Sequence, residues 1–197
     1  MTIKAKDMQV FEILDKLEKI VDKDNKVEYL VENFSDHKPL QYILKWNFCD
    51  SVESVIPDGT PPFNNEEQDG PSRSSLWSYL SVFPVFVRSV QSQKMQSLKR
   101  EQIFIEMLES LDNSEAEMVC LAKDKKLTEK WSIEMEVAQQ AFPGMNISST
   151  REFKVKELTE EEKATAMLEQ AEQLKEKAKQ LNSEARRLTS EAKKIAS

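Results

Sequence analysis

Apolar positions along this chain recur at helical spacing in a series of short segments and then, near the end, in one long one. Asp7 to Val21 reads as a first helix with Val10, Ile13, Leu14, Leu17, Ile20 and Val21 on its buried face. Asp24 or Asn25 caps a second through Val27, Leu30, Val31 and Phe34, and Asn25 with Glu28 has capping-box spacing. Ser35-Asp36-His37-Lys38-Pro39 then closes the pair as a polar turn. Leu40 to Phe48 forms a third helix or helical turn whose aromatic load, Tyr42, Trp46 and Phe48, suits core packing. From Pro57 to Ser75 the pattern dissolves into proline, asparagine, glycine, serine and acid, the composition of a loop. Leu76, Trp77, Tyr79, Leu80, Val82 and Phe83 resume it in a helix that Pro84 kinks before Phe86, Val87 and Val90.

Gln93 to Gly144 carries three more amphipathic helices. The first buries Leu98, Ile103, Ile105, Met107, Leu108 and Leu111 and exposes Lys99, Arg100, Glu101, Glu106 and Glu109. Ser114 and Glu117 have capping-box spacing, so the next begins near Glu115 and buries Ala116, Met118, Val119 and Leu121. The third runs through Trp131, Ile133, Met135, Val137, Ala138 and Phe142 until Pro143 stops it, with Gly144 at the chain reversal. Asn146 to Lys156 is weakly patterned and reads as a connector.

The last segment has the strictest pattern. After a Thr159/Glu162 capping box, apolar residues step alternately by four and three: Met167, Ala171, Leu174, Ala178, Leu181, Ala185, Leu188, Ala192, Ile195. A heptad seam of that length is best buried by supercoiling with a partner helix, and alanine at alternate positions lets the partner backbone come close. At about 1.5 Å per residue this helix extends roughly 55 Å. Glu160, Glu161 and Glu162 at its start and Arg186, Arg187, Lys193 and Lys194 near its end complement its dipole. The organisation expected is therefore an all-α chain: a compact multi-helix domain over residues 1–146, a connector over 147–158 and a long coiled-coil-like helix over 159–197.

Composition supports helices and narrows the chemistry. Charged residues make up 32% of the 197 positions, and there are only three glycines. A net charge of −7 opposes nucleic-acid binding by the chain as a whole, so any such binding needs a local basic patch. Cys49 and Cys120 match no zinc or redox spacing and read as buried thiols. No apolar run has the length of a bilayer span or the form of a signal peptide, which predicts a protein kept inside the producing cell. The single histidine, His37, has no second ligand nearby, so neither a metal nor a cofactor is expected.

Two arrays of residues carry a resemblance. Gln96-Ser97-Leu98-Lys99-Arg100, Ser114-Glu115-Ala116-Glu117, Lys123-Asp124-Lys125-Lys126-Leu127 and Ala141-Phe142-Pro143-Gly144 follow one another at the chain's centre. Phe11-Glu12-Ile13-Leu14, Asn25-Lys26, Tyr29-Leu30 and Gln41-Tyr42-Ile43-Leu44-Lys45-Trp46 precede them. Their order over residues 8–146 resembles the N-terminal helical domain of T-even-like phage ATP-dependent DNA ligases. Small uncharacterised proteins of large tailed phages are similar, with the domain but no ligase body. That family's glycine after the basic helix start is absent here, and Lys126-Leu127 replaces its Cys-Gly step.

The resemblance implies contact with the duplex DNA backbone through Lys94, Lys99 and Arg100 and through Lys123, Lys125, Lys126 and Lys130, in the cytoplasm of a host cell or, for a packaged protein, in a virion. It does not imply catalysis. The Lys-x-Asp-Gly nucleotidyl-acceptor motif is missing, since Asp58-Gly59 follows Val55-Ile56-Pro57, and the isolated glycines build no phosphate-cradling loop. Two non-enzymatic readings stand side by side. One is an accessory module on DNA or a DNA-processing complex. The other is a structural or adaptor protein, possible in a phage particle, that assembles with itself or another protein through the heptad helix.

Overall fold

A computed structural model describes residues 8–64 and 74–195, with side chains through Thr189. The expected loop therefore lies partly outside the described residues (65–73), as do Asp7 and the side chains of Lys193, Lys194, Ala192 and Ile195. The fold is all-α, a compact helical body followed by one long C-terminal helix. The elements are α1 (Val10–Glu18), α2 (Lys23–Phe34), α3 (Lys38–Phe48), the short α4 (Phe83–Phe86) and α5 (Val90–Gln93), α6 (Ser97–Ser110), α7 (Asn113–Lys123), α8 (Met135–Ala141) and α9 (Glu160–Ile195). Among the described residues the only β pairing is an isolated antiparallel bridge between Ser54 and Val87.

In the body α3 and α7 pack face to face, α1 lies on α7, and α2 lies on α8. Aromatic rings join the remaining pieces. Trp46 of α3 stacks on Phe86 of α4 at 6.4 Å with an interplanar angle of 6°, and Phe86 meets Phe104 of α6 edge-on at 5.2 Å. Phe83 closes on Trp46 at 5.6 Å. These rings are all buried; of the aromatic residues of the third helix expected in the core, Trp46 and Phe48 are inside, whereas Tyr42 is 42% exposed and only leans on Phe83 at 5.4 Å from the surface. Offset and edge-on ring pairs add to the stabilisation that burial alone supplies, so the small α4 is held by its neighbours rather than by its own four residues.

Several local expectations are corrected. α6 buries Phe104, Met107 and Leu108, and Leu98, expected inside, is 77% exposed. The i, i+3, i+4 triplet sets the buried face, and Leu98 lies in the first turn beyond the core. α7 is capped by Asp112, whose carboxylate accepts from the Ser114 amide at 2.8 Å, so the Ser114/Glu117 box does not form. Aspartate at the cap reaches the orphan amides two residues earlier. In the same way Asp22, not Asp24 or Asn25, caps α2. Val21 and Val31 stay largely exposed, while Lys26 is buried and donates to the Ser132 carbonyl.

Pro84 sits in the first turn of α4 and starts a helix instead of kinking one, because its missing amide proton is harmless there. Trp131 and Ile133 are buried as expected, yet they lie in an irregular turn ahead of α8, with the Trp131 amide on Leu127 O and the Ile133 amide on Trp131 O. After α8 and a short turn, Asn146, with φ of 49°, makes the left-handed reversal assigned to Gly144. The Thr159/Glu162 box does form, with both of its hydrogen bonds present, and opens α9.

The connector is laid back across the body. The Asp50 amide donates to Ser148 O at 3.0 Å, and the Asp50 carboxylate accepts from Ser149, Thr150 and Arg151, which hold it well below the usual carboxylate range. Phe153 packs edge-on against Phe48 at 5.0 Å, and Lys156 donates to Glu18 at 2.9 Å. The root of α9 is thus fixed to the body by a strap of hydrogen bonds.

Replacing Phe104 by alanine should cost about 3–5 kcal/mol, read from urea denaturation. Leu98→Ala should change stability by no more than about 0.5 kcal/mol, as for an exposed position.

Candidate interaction surfaces

The lysine-rich turn after α7 is built from the helix outward. Its last residue, Lys123, falls on the same face as Ala116, Val119 and Cys120 and is 2% exposed. Its ammonium donates to Pro57 O at 2.7 Å and pairs with Asp124, whose other oxygen accepts from the Gly59 amide at 3.0 Å. Gly59 has φ of +86°, a conformation that L side chains rarely adopt. Lys123 and Asp124 therefore fasten the start of the 57–64 loop to the end of α7.

Lys125 follows in a left-handed conformation, φ of 62°. The Lys126 amide bonds Leu121 O at 2.8 Å and the Lys125 amide bonds Ala122 O at 3.2 Å, which is the double closure of a Schellman stop with lysine where glycine is usual. The side chain explains the choice. Its ammonium donates to the carbonyl of Trp46, to Cys49 O at 3.1 Å and to Val52 O at 2.9 Å. Three protons meet the carbonyl of Trp46 in the last turn of α3 and those of Cys49 and Val52 in the turn that follows; the last carbonyls of a helix lack intrahelical partners and its dipole is negative there. Burial, with Arg151 nearby, pulls this lysine down to about 8, so it remains mostly charged at neutral pH.

Of the residues expected to face phosphates, Lys123 and Lys125 are therefore turned inward, because each ammonium is consumed by carbonyls or carboxylate of the body. Arg100 donates from Nη1 to Ser92 O at 2.9 Å, closing α5. Lys130 pairs with Glu117 at 2.6 Å and lies 4.7 Å over the Trp131 ring. Lys94, Lys99 and Lys126 remain exposed.

A small cavity of about 170 Å³ lies between the starts of α1, α3 and α7. His37, expected in a polar surface turn, is instead a buried cap of α3 on its wall. Its Nδ1 accepts from the Leu40 amide at 3.2 Å, and its Nε2 donates to Met8 O at 3.1 Å. Both ring nitrogens are used, and burial lowers its pKa. Opposite is Glu115, 1% exposed, with one oxygen 3.5 Å from the Val10 amide and the other without a hydrogen bond among the described residues. Burial, reinforced by Asp112 and Glu12, raises Glu115 to about 7. In the sequence its signal is that Glu115 shares a helix face with Met118, Val119 and Ala122, all of them buried.

The third surface is α9. Its capped base touches the body through Ala166, which is buried, and through Glu169, paired with Lys19 at 3.3 Å. Gln170 and Gln173 border a groove against Lys16, Ile20 and Tyr29, and from Ala171 to Thr189 the described residues of the helix are exposed. Met167, Leu174, Leu181 and Leu188 are 59–66% exposed, and Ala171, Ala178 and Ala185 between them are exposed as well. From Met167 to Leu188 the seam read from the sequence is thus one continuous bare face. Among the described residues no helix is long and apolar enough to cross a membrane.

Residues 13–129 match the model of a family of unknown function, DUF6433, and the chain belongs to that family. No curated protein and no solved structure matches it.

Two titrations check this geometry. Lys125→Met should destabilise the body by about 2 kcal/mol or more, since carbonyls at the end of α3 lose their donor; urea melts at pH 7 measure it. For Glu115 the folded pKa lies above the unfolded value of 4.5, so the native state binds more protons between pH 4.5 and 7 and loses stability as pH rises through that window. Glu115→Gln should therefore stabilise the protein by on the order of 2 kcal/mol at pH 8 and by little at pH 4.5. His37 acts in the opposite sense: its lowered pKa makes stability fall as pH drops below 6.5.

Proposed function

We propose that this DUF6433 protein is a non-enzymatic adaptor: a rigid helical body that carries, at one end, a long helix whose apolar seam docks on another helix. The observation that carries the reading is the bare leucine and methionine face of α9, 59–66% exposed at Met167, Leu174, Leu181 and Leu188, on a helix whose root is strapped to the body. Exposed apolar surface that continues over several turns marks an interaction site, and the strap means that whatever docks there is coupled to the body.

The duplex-holding role implied by the ligase-domain resemblance is supported less well. With Lys123 and Lys125 engaged inside, it would rest on Lys94, Lys99 and Lys126, too few cations to overcome a net charge of −7 by counterion release.

Serine at Leu174, Leu181 and Leu188 together should convert an associated full-length protein to single chains in light scattering, with the unfolding transition of the body unchanged. Single chains both before and after substitution would sink the adaptor reading. Duplex binding that weakens steeply with salt and survives removal of residues 159–197 would return the DNA reading in its place.

A further inference from the structure

We propose that the helix seated on this seam is α9 of a second copy of the chain, running antiparallel, with Ala178 opposite the second copy's Leu181. The inference rests on the adaptor reading and names its partner.

The first ground is the shape of the seam. Its two rows differ in size, alanine at 171, 178 and 185 and a larger residue at 167, 174, 181 and 188. In a parallel pair each row meets itself, giving wide leucine layers alternating with near-empty alanine layers. A twofold axis across the helix exchanges the rows, so every layer sets one alanine against one leucine, and the layers fill evenly. Aligning Ala178 with Leu181 aligns Ala171 with Leu188 and Ala185 with Leu174 at once. No seam residue between 171 and 188 is left unpaired.

The second ground is charge. Residues 160–174 carry five acids and one base, whereas residues 175–195 carry seven bases and three acids. A parallel partner sets acid beside acid and base beside base along the whole length. An antiparallel one sets each half against its opposite, and unlike potentials across an interface select orientation and partner.

The flanking positions then select the register. In the proposed alignment Lys177 of each copy lies across from Glu184 of the other, giving two symmetry-related ion pairs beside the central layers. Sliding by one heptad in one direction sets Lys177 against Lys177, and in the other direction Glu184 against Glu184. Within a single helix these two residues are seven apart and do not touch, so their pairing has meaning only between chains. The root of the helix leaves room for the partner: the cleft beside Met167 is bordered by Val21, Asp22, Lys23 and Asp24, and because Lys23 is paired with Glu134 the two aspartates are left to face the second copy's basic last turns.

The test uses the full-length protein. Light scattering should give a mass of two chains. Lys177→Glu and Glu184→Lys, each alone, should weaken the dimer at least tenfold by setting like charges together. The combined K177E/E184K chain should return to within about threefold of the original. A spin label on Cys introduced at Thr165, in the exposed first turns of α9, supplies orientation; Cys49 and Cys120 are buried and take up little label. In the proposed register the two labels lie about 44 Å apart along the axis, 29 residues at 1.5 Å each, whereas a parallel pair holds them within about 20 Å. A dimer with the short distance, a larger assembly, or single variants that the combination fails to rescue would overturn the inference and leave α9 an assembly element. Single chains at the highest attainable concentration would overturn the adaptor reading with it.

Discussion

The ammonium of Lys125 is the contact on which the body depends. It gathers the carbonyls of Trp46, Cys49 and Val52 at the end of α3, and it does so from a left-handed residue that terminates α7. A non-glycine residue in that conformation costs on the order of 1–2 kcal/mol, and the three hydrogen bonds offset it. Because α3 carries Trp46 and α7 carries the face beneath it, one side chain fixes how the two central helices end against each other. Asn47 repeats the tie from the other direction, accepting from the Leu127 amide at 3.0 Å. The aromatic run from Trp46 through Phe86 to Phe104 is then packed around a junction already set.

That junction changes what a cluster of lysines means. Four lysines between positions 123 and 130 in an otherwise acidic chain suggest an anion site, and the same residues occur where a resemblance to a DNA-holding domain expects them. Three-dimensional placement assigns two of the four to internal carbonyls and one to Glu117. For Lys123 the sequence already held the signal, since it continues the Ala116, Val119, Cys120 face by one more turn. For Lys125 it held none: its role depends on the end of α3, some 80 residues earlier in the chain, and on a helix stop that usually announces itself with glycine.

Legibility elsewhere followed the range of the interaction. The Thr159/Glu162 box, the heptad of α9 and the apolar faces of α1 and α3 depend on residues a few positions apart, and they were readable. Caps were misplaced where two acceptors competed within three residues, as with Asp112 and Ser114, because side-chain reach and not spacing decides between them. The segment after Lys126 was the least readable. Trp131 and Ile133 are two residues apart, a spacing that does not belong to one helix face, and they lie in irregular chain where Trp131 donates to Asp15 at 2.7 Å and the Ser132 amide to Glu18 at 2.6 Å. Those are contacts with α1, more than a hundred residues away, and they override local propensity.

The division of labour between the two parts of the molecule follows from how their charges and apolar atoms are spent. In the body most large apolar side chains are inside, and charged groups close loops, cap helices or tie down the connector. Beyond its root α9 differs: its seam leucines are bare and its charges are sorted by sign along its length. A helix needing only to be soluble gains nothing from that sorting beyond its first and last turns, since the dipole effect fades within a turn of each end. Charge separated over the whole helix matters to a partner of comparable length lying alongside. In the proposed pair, alanine in one row would set the strength of that contact, for it permits close approach while burying little area per layer. Such an interface would favour specificity of orientation over affinity, and its population would respond to the concentration of the chain.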